Sequence, residues 1–344
     1  MKYAIRLAFL ALAALILSHA QGRAAGRYDL MAQFGGPGGD VRAALTWLAG
    51  NPQPSGSFVS SGTYTYTGVL DIPAGADLLF DRTTLLPLDI ANESVRLRGS
   101  GTKLTFSGTC RIGYQGRVTS RYGNAEASGI ELESASNFTI AADDLTIEGT
   151  GSVGLFSYRR TGPGTVVGKI TVISSGEDSF HFTDASHDID LSQSDLYSYN
   201  SGDDGFAVVS YTGNPDYTRN IHWGSVTMRY PRWSRGISVV GGQNVTVDRF
   251  DIDGSSGAGI YIAAEALATD GYDTRGVQNV RMFNGIIRNP NTLLIHRANV
   301  VFYNDQPTQV IDDVQITVDA DPNWPLFQNT GHYPVTRSFV NGIQ

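Results

Sequence analysis

The chain has 344 residues, 40 of them Gly, with 16 Tyr and 15 Phe and only 17% charged residues, a globular, β-leaning composition that argues against disorder. The formal net charge is −8, which argues against a general nucleic-acid binder. Cys110 is the only cysteine, so neither an internal disulfide nor a metal–thiolate centre is available, and Cys110 reads as a small buried residue.

Lys2 and Arg6 precede an apolar run over residues 7–17, and Ser18-His19-Ala20 follows with small residues at the positions a signal peptidase reads. The run is too short to span a bilayer comfortably. Residues 1–20 are therefore expected to be a signal peptide cleaved after Ala20, leaving a secreted or periplasmic protein with no membrane attachment. Removing Lys2 and Arg6 takes the formal charge from −8 to −10. Residues 21–344 read as one domain, since no linker-like stretch divides them.

Within that domain, residues 28–60 form an N-terminal cap. Val41, Ala44, Leu45 and Leu48 fall at helical spacing after Asp40, which predicts a short helix over 40–48 with Asp40 as its N-cap. The glycines at 35–39 do not form a phosphate loop, because no Lys-Ser/Thr follows them.

Residues 61–319 carry a repeat. Short β-rich runs begin at 129 (GIELE), 154 (GLFSY), 179 (SFHFT), 205 (GFAVV), 236 (GISVV) and 259 (GIYIA), at intervals of 25, 25, 26, 31 and 23 residues. Each interval holds two or three short strands, as in SHDIDLSQSDLYSY over 186–199. A period in the twenties with several strands per repeat predicts stacked coils, each burying its inner face against its neighbours about 4.8 Å away. The predicted class is all-β, a right-handed parallel β-helix with a short N-terminal capping helix. Strand alternation points Phe180, Phe182, Phe206, Val208, Ile237, Val239, Ile260 and Ile262 inward. It points His181, Ala207, Ser238 and Tyr261 outward, one above another. Asn137, Asn220, Asn244 and Asn279 each precede a strand and suit left-handed turns. Residues 320–344, with Pro and aromatics, are expected to cover the far end.

Segments Gly62-Thr63-Tyr64 and Asp71-Ile72-Pro73-Ala74-Gly75 resemble the entry strands of the pectin-lyase-like superfamily. Asn200-Ser201-Gly202-Asp203-Asp204-Gly205 resembles the Gly-Asp-Asp motif of the polygalacturonases, glycoside hydrolase family 28, and Glu177-Asp178-Ser179 resembles that family's Asn-Thr-Asp-Gly. The resemblance implies a parallel β-helix whose catalytic aspartates are Asp178, Asp203 and Asp204. Two later coils depart from the pattern. Arg235 stands where the family carries His, and the run Gly259 to Ala263 lacks the Arg and Lys that would grip a galacturonate carboxylate.

The residues themselves place Glu177 and Asp178 one coil below Asp203 and Asp204. Glycoside hydrolysis needs one carboxylic acid and one carboxylate, and this cluster supplies them. His181 projects outward beside the acids as a candidate proton shuttle or substrate ligand. Tyr211, Trp223, Tyr230, Trp233 and Tyr261 gather around the longest coil, with Trp233 and Tyr261 expected to be exposed. Glu177, His181, Tyr211, Trp233, Tyr261 and Glu265 are thus the candidate substrate-binding residues, and Asp178, Asp203, Asp204 and Arg235 the catalytic ones. The first functional expectation is a polysaccharide hydrolase with no metal or other cofactor. The alternatives are a uronate-polymer lyase with Arg235 as base and Ca²⁺ at the acids, or a non-catalytic exopolysaccharide-binding β-helix. The partner in each case is a polysaccharide, and the chain would be a monomer or a homotrimer.

Overall fold

Alternation of apolar and polar residues commits most of this chain to strands, and the intervals between them commit the strands to coils. A computed structural model describes residues 26–88, 94–114, 127–266, 273–294 and 296–344. The segment 1–20, expected to be a signal peptide, lies outside the described residues. Two parallel sheets result, one of 15 and one of 10 described strands. The longer strands, among them Phe138–Glu148, Gly164–Ile173, His187–Tyr199, Thr218–Arg229, Gly242–Asp253 and Val277–Arg288, pair in chain order. The shorter ones, among them Ile130–Ser136, Leu155–Tyr158, Phe180–Phe182, Phe206–Val209, Ile237–Val240, Ile260–Ala264 and Val300–Asn304, pair likewise in the second sheet. Parallel strands need a crossover. Here each sheet supplies the crossover of the other, which is what makes the chain a right-handed parallel β-helix.

The long strands turn a corner partway. Register shifts between Ala142 and Leu145, Thr165 and Gly168, and Leu191 and Asp195 mark the bends. Gly168 sits at one of them with φ of 92°, and a Cβ there would lie 1.8 Å from the Ala142 carbonyl oxygen.

The inward residues meet their expectation: Phe180, Phe182, Phe206, Val208, Ile237, Val239, Ile260 and Ile262 are all fully buried. Stacking aligns like with like. Phe180 lies on Phe206 with ring centroids 4.9 Å apart and planes within 3°, and Trp223 packs edge-on to Phe182 and Phe206 at 5.8 and 5.9 Å. Trp223 is therefore core. Cys110 is buried as well, and burial pushes its thiol up to about 11, which keeps it protonated and inert.

Helix α1 (Val41–Gly50) closes the N-terminal end. The Asp40 side chain accepts the Ala43 amide at 2.9 Å, and Val41, Ala44, Leu45 and Leu48 form its buried face. At the other end the tail adds a last partial coil. Phe327–Asn329 pairs with Val300–Phe302, and Val335–Thr336 and Phe339–Val340 pair with Ile311–Asp319.

The asparagine turns form a ladder. Asn220, Asn244 and Asn279 all have left-handed backbones, with φ of 53–54°. The Asn244 amide donates to Asn220 Oδ1 at 2.7 Å, and the Asn279 amide donates to Asn244 Oδ1 at 2.8 Å. Asn is chosen because it tolerates this conformation and can bond the coil on either side. Asn244→Ala should cost about 1–2 kcal/mol, most of it from the left-handed backbone, whereas Asn244→Gly should cost much less. Denaturant melts of the two variants check this; equal losses would mean that the side-chain ladder dominates instead.

Candidate active site

The corner leading into the shorter sheet is built the same way in successive coils. Its first residue is left-handed each time: Gly149, Ser174, Asn200, Tyr230, Gly254 and Asn289, with φ between 46° and 75°. The next residue is Thr150, Ser175, Ser201 or Ser255, whose hydroxyl donates to the carbonyl two residues on at 2.8–3.0 Å. Backbone bonds then stack the corners. The amides of Gly154, Ser179 and Gly205 donate to the carbonyls of Asp178, Asp204 and Arg235, each at 3.1 Å. Val153, Asp178, Asp204, Arg235 and Ala258 thus form one column, apolar at both ends and charged in the middle.

The two aspartates of this column are held from above. Asp178 Oδ1 accepts the Asp204 amide at 2.7 Å, and Asp204 Oδ1 accepts the Arg235 amide at 2.9 Å. Their second oxygens meet basic side chains. Asp178 Oδ2 lies 2.5 Å from His181 Nδ1, and Asp204 Oδ2 lies 3.1 Å from the Arg235 guanidinium. Asp203 completes the group, and oxygens of Asp178, Asp203 and Asp204 lie within 4.8 Å of one another. Asp203 is half-buried, and Asp178 and Asp204 are buried. Glu177, expected in the same cluster, turns back to the preceding coil, where its Oε2 accepts from Ser152 Oγ at 3.0 Å.

Burial opposes a charge on His181, but the hydrogen bond it donates to Asp178 and the fields of Asp178, Glu177 and Asp204 outweigh it and raise its pKa above the usual 6.5. Burial likewise opposes the charge on Arg235, and the carboxylates of Asp204 and Asp203 overcome it and push the pKa up. Arg235 is further fixed by Ser238 Oγ at 3.2 Å from its Nε, and its guanidinium lies over the Tyr261 ring at 4.4 Å. It is a permanent, immobilised cation.

Tyr261 does project outward as alternation requires, but it is not exposed: only 4% of its surface is accessible. The expectation failed because the outward face of the shorter sheet is itself covered. Ala207, Val209, Val240, Tyr261, Ala263 and Val301 form a second apolar cluster there. Loops on either side close over it, tied by Thr212 amide to Asp273 carbonyl at 2.7 Å, Arg275 amide to Ser210 carbonyl at 2.8 Å and a bridge between Tyr211 and Thr274. Tyr211 belongs to that cover and packs against the cluster. Glu265 accepts from the Tyr261 hydroxyl at 2.9 Å, so it stands beyond Tyr261 and away from the aspartates.

Trp233 is 46% exposed, as expected. Tyr230 and Tyr199, 53% and 48% exposed, meet edge to face at 6.3 Å. Tyr230 occupies the corner position that other coils give to Gly, Asn or Ser, and a bulky left-handed residue there is strained. Tyr230 and Trp233 stand in the long 31-residue interval, where Pro231 takes the place of the corner serine and Arg232 follows it. The Arg232 guanidinium donates to the Ser175 carbonyl two coils back, across Gly202.

Sequence reasoning missed two further groups. Glu131 lies on the same outward column as His181, by way of Phe156. It is buried, and although Arg96 pulls the other way, burial pushes its carboxyl up to about 7. Its signal was visible as two glutamates at alternate positions of one strand. His296, 5.0 Å from Tyr261, lies in a loop outside the repeat and had no such signal.

No family model matches this sequence, and no curated protein matches it. Solved structures do. The catalytic domain of a GH87 alpha-1,3-glucanase in complex with nigerose superposes with a TM-score of 0.62 at 14% identity, over 88% of this chain and 56% of that one. A variant of such a domain in complex with tetrasaccharides gives 0.61 at 14%, over 87% and 57%. The A-module of a mannuronan C-5 epimerase of Azotobacter vinelandii gives 0.46 at 15%, over 92% and 98%. This chain spans a little over half the length of the glucanase domains. At such identity the likeness is one of fold, the parallel β-helix.

The His181–Asp178 pair makes stability depend on pH. A histidine whose folded pKa is raised stabilises the fold fully below its unfolded value, about 6.5, and loses that contribution as pH rises through the folded value. The melting-temperature gap between wild type and His181→Gln should therefore be widest near about pH 5 and narrow toward about pH 9. A gap that widens with pH would mean that His181 is held neutral.

Proposed function

We propose that this chain is a carbohydrate-active enzyme, a glycoside hydrolase that cleaves a polysaccharide at the Asp178–Asp203–Asp204 corner. The observation that carries the reading is the gathering of three carboxylates from two adjacent coils, with their oxygens within 4.8 Å and one of them half-exposed. The glucanase domains of the same fold were solved with nigerose and with tetrasaccharides, and a sugar polymer is proposed as the substrate here by analogy of fold.

The roles follow from exposure. Asp203, the most open of the three, donates its proton to the glycosidic oxygen as the bond from the anomeric carbon breaks. A water attacks that carbon and gives its proton to one of the two buried carboxylates, Asp178 or Asp204. Asp178 is held in place by His181 Nδ1 at 2.5 Å. Arg235 fixes Asp204 and supplies positive charge beside the corner. The exposed Trp233, Tyr230 and Tyr199 offer flat apolar faces on which sugar rings pack.

The lyase alternative would need Arg235 as the base, and a guanidinium between Asp204 and the Tyr261 face is held charged. Its Ca²⁺ would have to displace the basic side chains already opposite Asp178 and Asp204. The hydrolase is therefore the favoured reading, and its activity is expected not to require added Ca²⁺. The apolar segment at 7–17 supports action outside the cytoplasm.

The test is incubation with neutral and uronic-acid polysaccharides, following reducing ends together with ultraviolet absorbance. A hydrolase gives reducing ends without absorbance. Asp203→Asn should lower turnover by about 10²–10⁴-fold without changing the circular dichroism spectrum. Wild-type turnover in that variant would remove the aspartate mechanism, absorbance would favour a lyase, and binding without cleavage would favour an exopolysaccharide-binding role.

A further inference from the structure

A cavity of about 470 Å³ opens on the outward face of the shorter sheet, on the C-terminal side of the acidic corner. Its lining includes Tyr261, Glu265, His296, Arg297, Tyr303 and Gln328. The volume is within the range of small-ligand sites. We propose that this cavity is a glycosyl-binding subsite that holds one pyranose ring of the polymer through an aromatic wall and hydroxyl-directed hydrogen bonds; the inference rests on the hydrolase reading.

The aromatic wall is rigid. The rings of Tyr261 and Tyr303 stack at 6.2 Å with planes 23° apart, and the His296 ring lies 5.0 Å from Tyr261. Each polar tip is anchored. Tyr261 donates to Glu265 Oε1 at 2.9 Å, and Tyr303 donates to Asp305 Oδ2 at 3.0 Å. Glu265 is itself held by Thr274 Oγ1, which accepts its amide at 2.7 Å, and by Gln306 Nε2, which donates to its carbonyl at 2.9 Å. Such anchoring pre-organises a site before a ligand arrives.

The hydrogen-bonding groups suit hydroxyls. His296 Nδ1 accepts the Ala258 amide at 3.3 Å, so the neutral ring carries its proton on Nε2. Burial and then the nearby Arg235 charge push the His296 pKa down to about 4, so the ring stays a neutral donor over the working range. Glu265 and Gln328 provide acceptors, and Gln328 and Arg297 provide donors. The one acidic and one basic side chain of the lining offset each other, so the cavity recognises a polyhydroxyl ring without demanding a charged one.

The cavity also lies in line with the corner. Arg235, which pairs with Asp204, covers one face of Tyr261, and Tyr261 lines the cavity. The Tyr261 coil is two coils beyond that of Asp204, roughly 10 Å along the stack. A polymer lying along the helix axis across the corner would run into the cavity.

The test measures binding and cleavage separately. Affinity for neutral and for uronic-acid oligosaccharides is measured by calorimetry in Asp203→Asn, and in that variant combined with Tyr303→Ala or His296→Ala. Steady-state kinetics follow on the corresponding proteins with Asp203 intact. Removing the Tyr303 ring or the His296 donor should weaken binding and raise KM by about 10-fold or more with kcat little changed. A comparable loss on the neutral and the acidic sugar supports hydroxyl recognition, and a loss confined to the uronic-acid sugar overturns it. Cleavage abolished by Asp203→Asn with binding indifferent to Tyr303 and His296 overturns the subsite and leaves the hydrolase standing. No cleavage by any protein, with binding still weakened by Tyr303→Ala, leaves the subsite standing and removes the hydrolase.

Discussion

In-register stacking of the coils is the constraint on which everything else here depends. A coil cannot bury its inner face alone, so each residue must lie over its counterpart one repeat away. In the core this produces ladders such as Phe180 on Phe206. At the turns it produces the asparagine ladder. At the acidic corner it produces a column in which Asp178 and Asp204 each accept the backbone amide of the residue above. The bonds that align the corners are therefore the bonds that align the carboxylates. Structural and chemical duties fall on the same atoms, so a substitution such as Asp204→Ala would disturb both at once.

The charges of the corner are resolved by pairing. Carboxylates this close repel one another. His181 faces Asp178, Arg235 faces Asp204, and Glu177 turns away to Ser152. Asp203 is the half-exposed carboxylate of the group, flanked by two that are buried and anchored. The 31-residue interval brings Arg235 to this place and also carries Arg232, Trp233 and the strained Tyr230. The coil that departs most from the repeat is the one that builds the surroundings of the site, as expected where function overrides local regularity.

Most of the fold was legible because its signals are local. Helix α1 announced itself through Val41, Ala44, Leu45 and Leu48 behind Asp40. The inner face of each strand followed from alternation. The meeting of Asp178 with Asp203 and Asp204 followed from a repeat of 26 residues. What was not legible depends on chain segments far apart. Tyr261 faces outward as alternation requires, yet it is buried, because loops near 212 and 274 pair over it. His296 reaches Tyr261 from a loop with no period. Arg235 could be placed by counting, but its fixed charge comes from Asp204, Ser238 and Tyr261 converging on it from three coils.

The central claim is that the Asp178–Asp203–Asp204 corner is where a glycosidic bond is held for cleavage. The most direct test is a crystal structure of Asp203→Asn with an oligosaccharide of the polymer that the wild type cleaves. The account predicts a glycosidic oxygen within hydrogen-bonding distance of the residue-203 side chain, with the sugar chain running along the helix axis toward Tyr303. An oligosaccharide bound elsewhere on the stack, with the corner untouched, would contradict it.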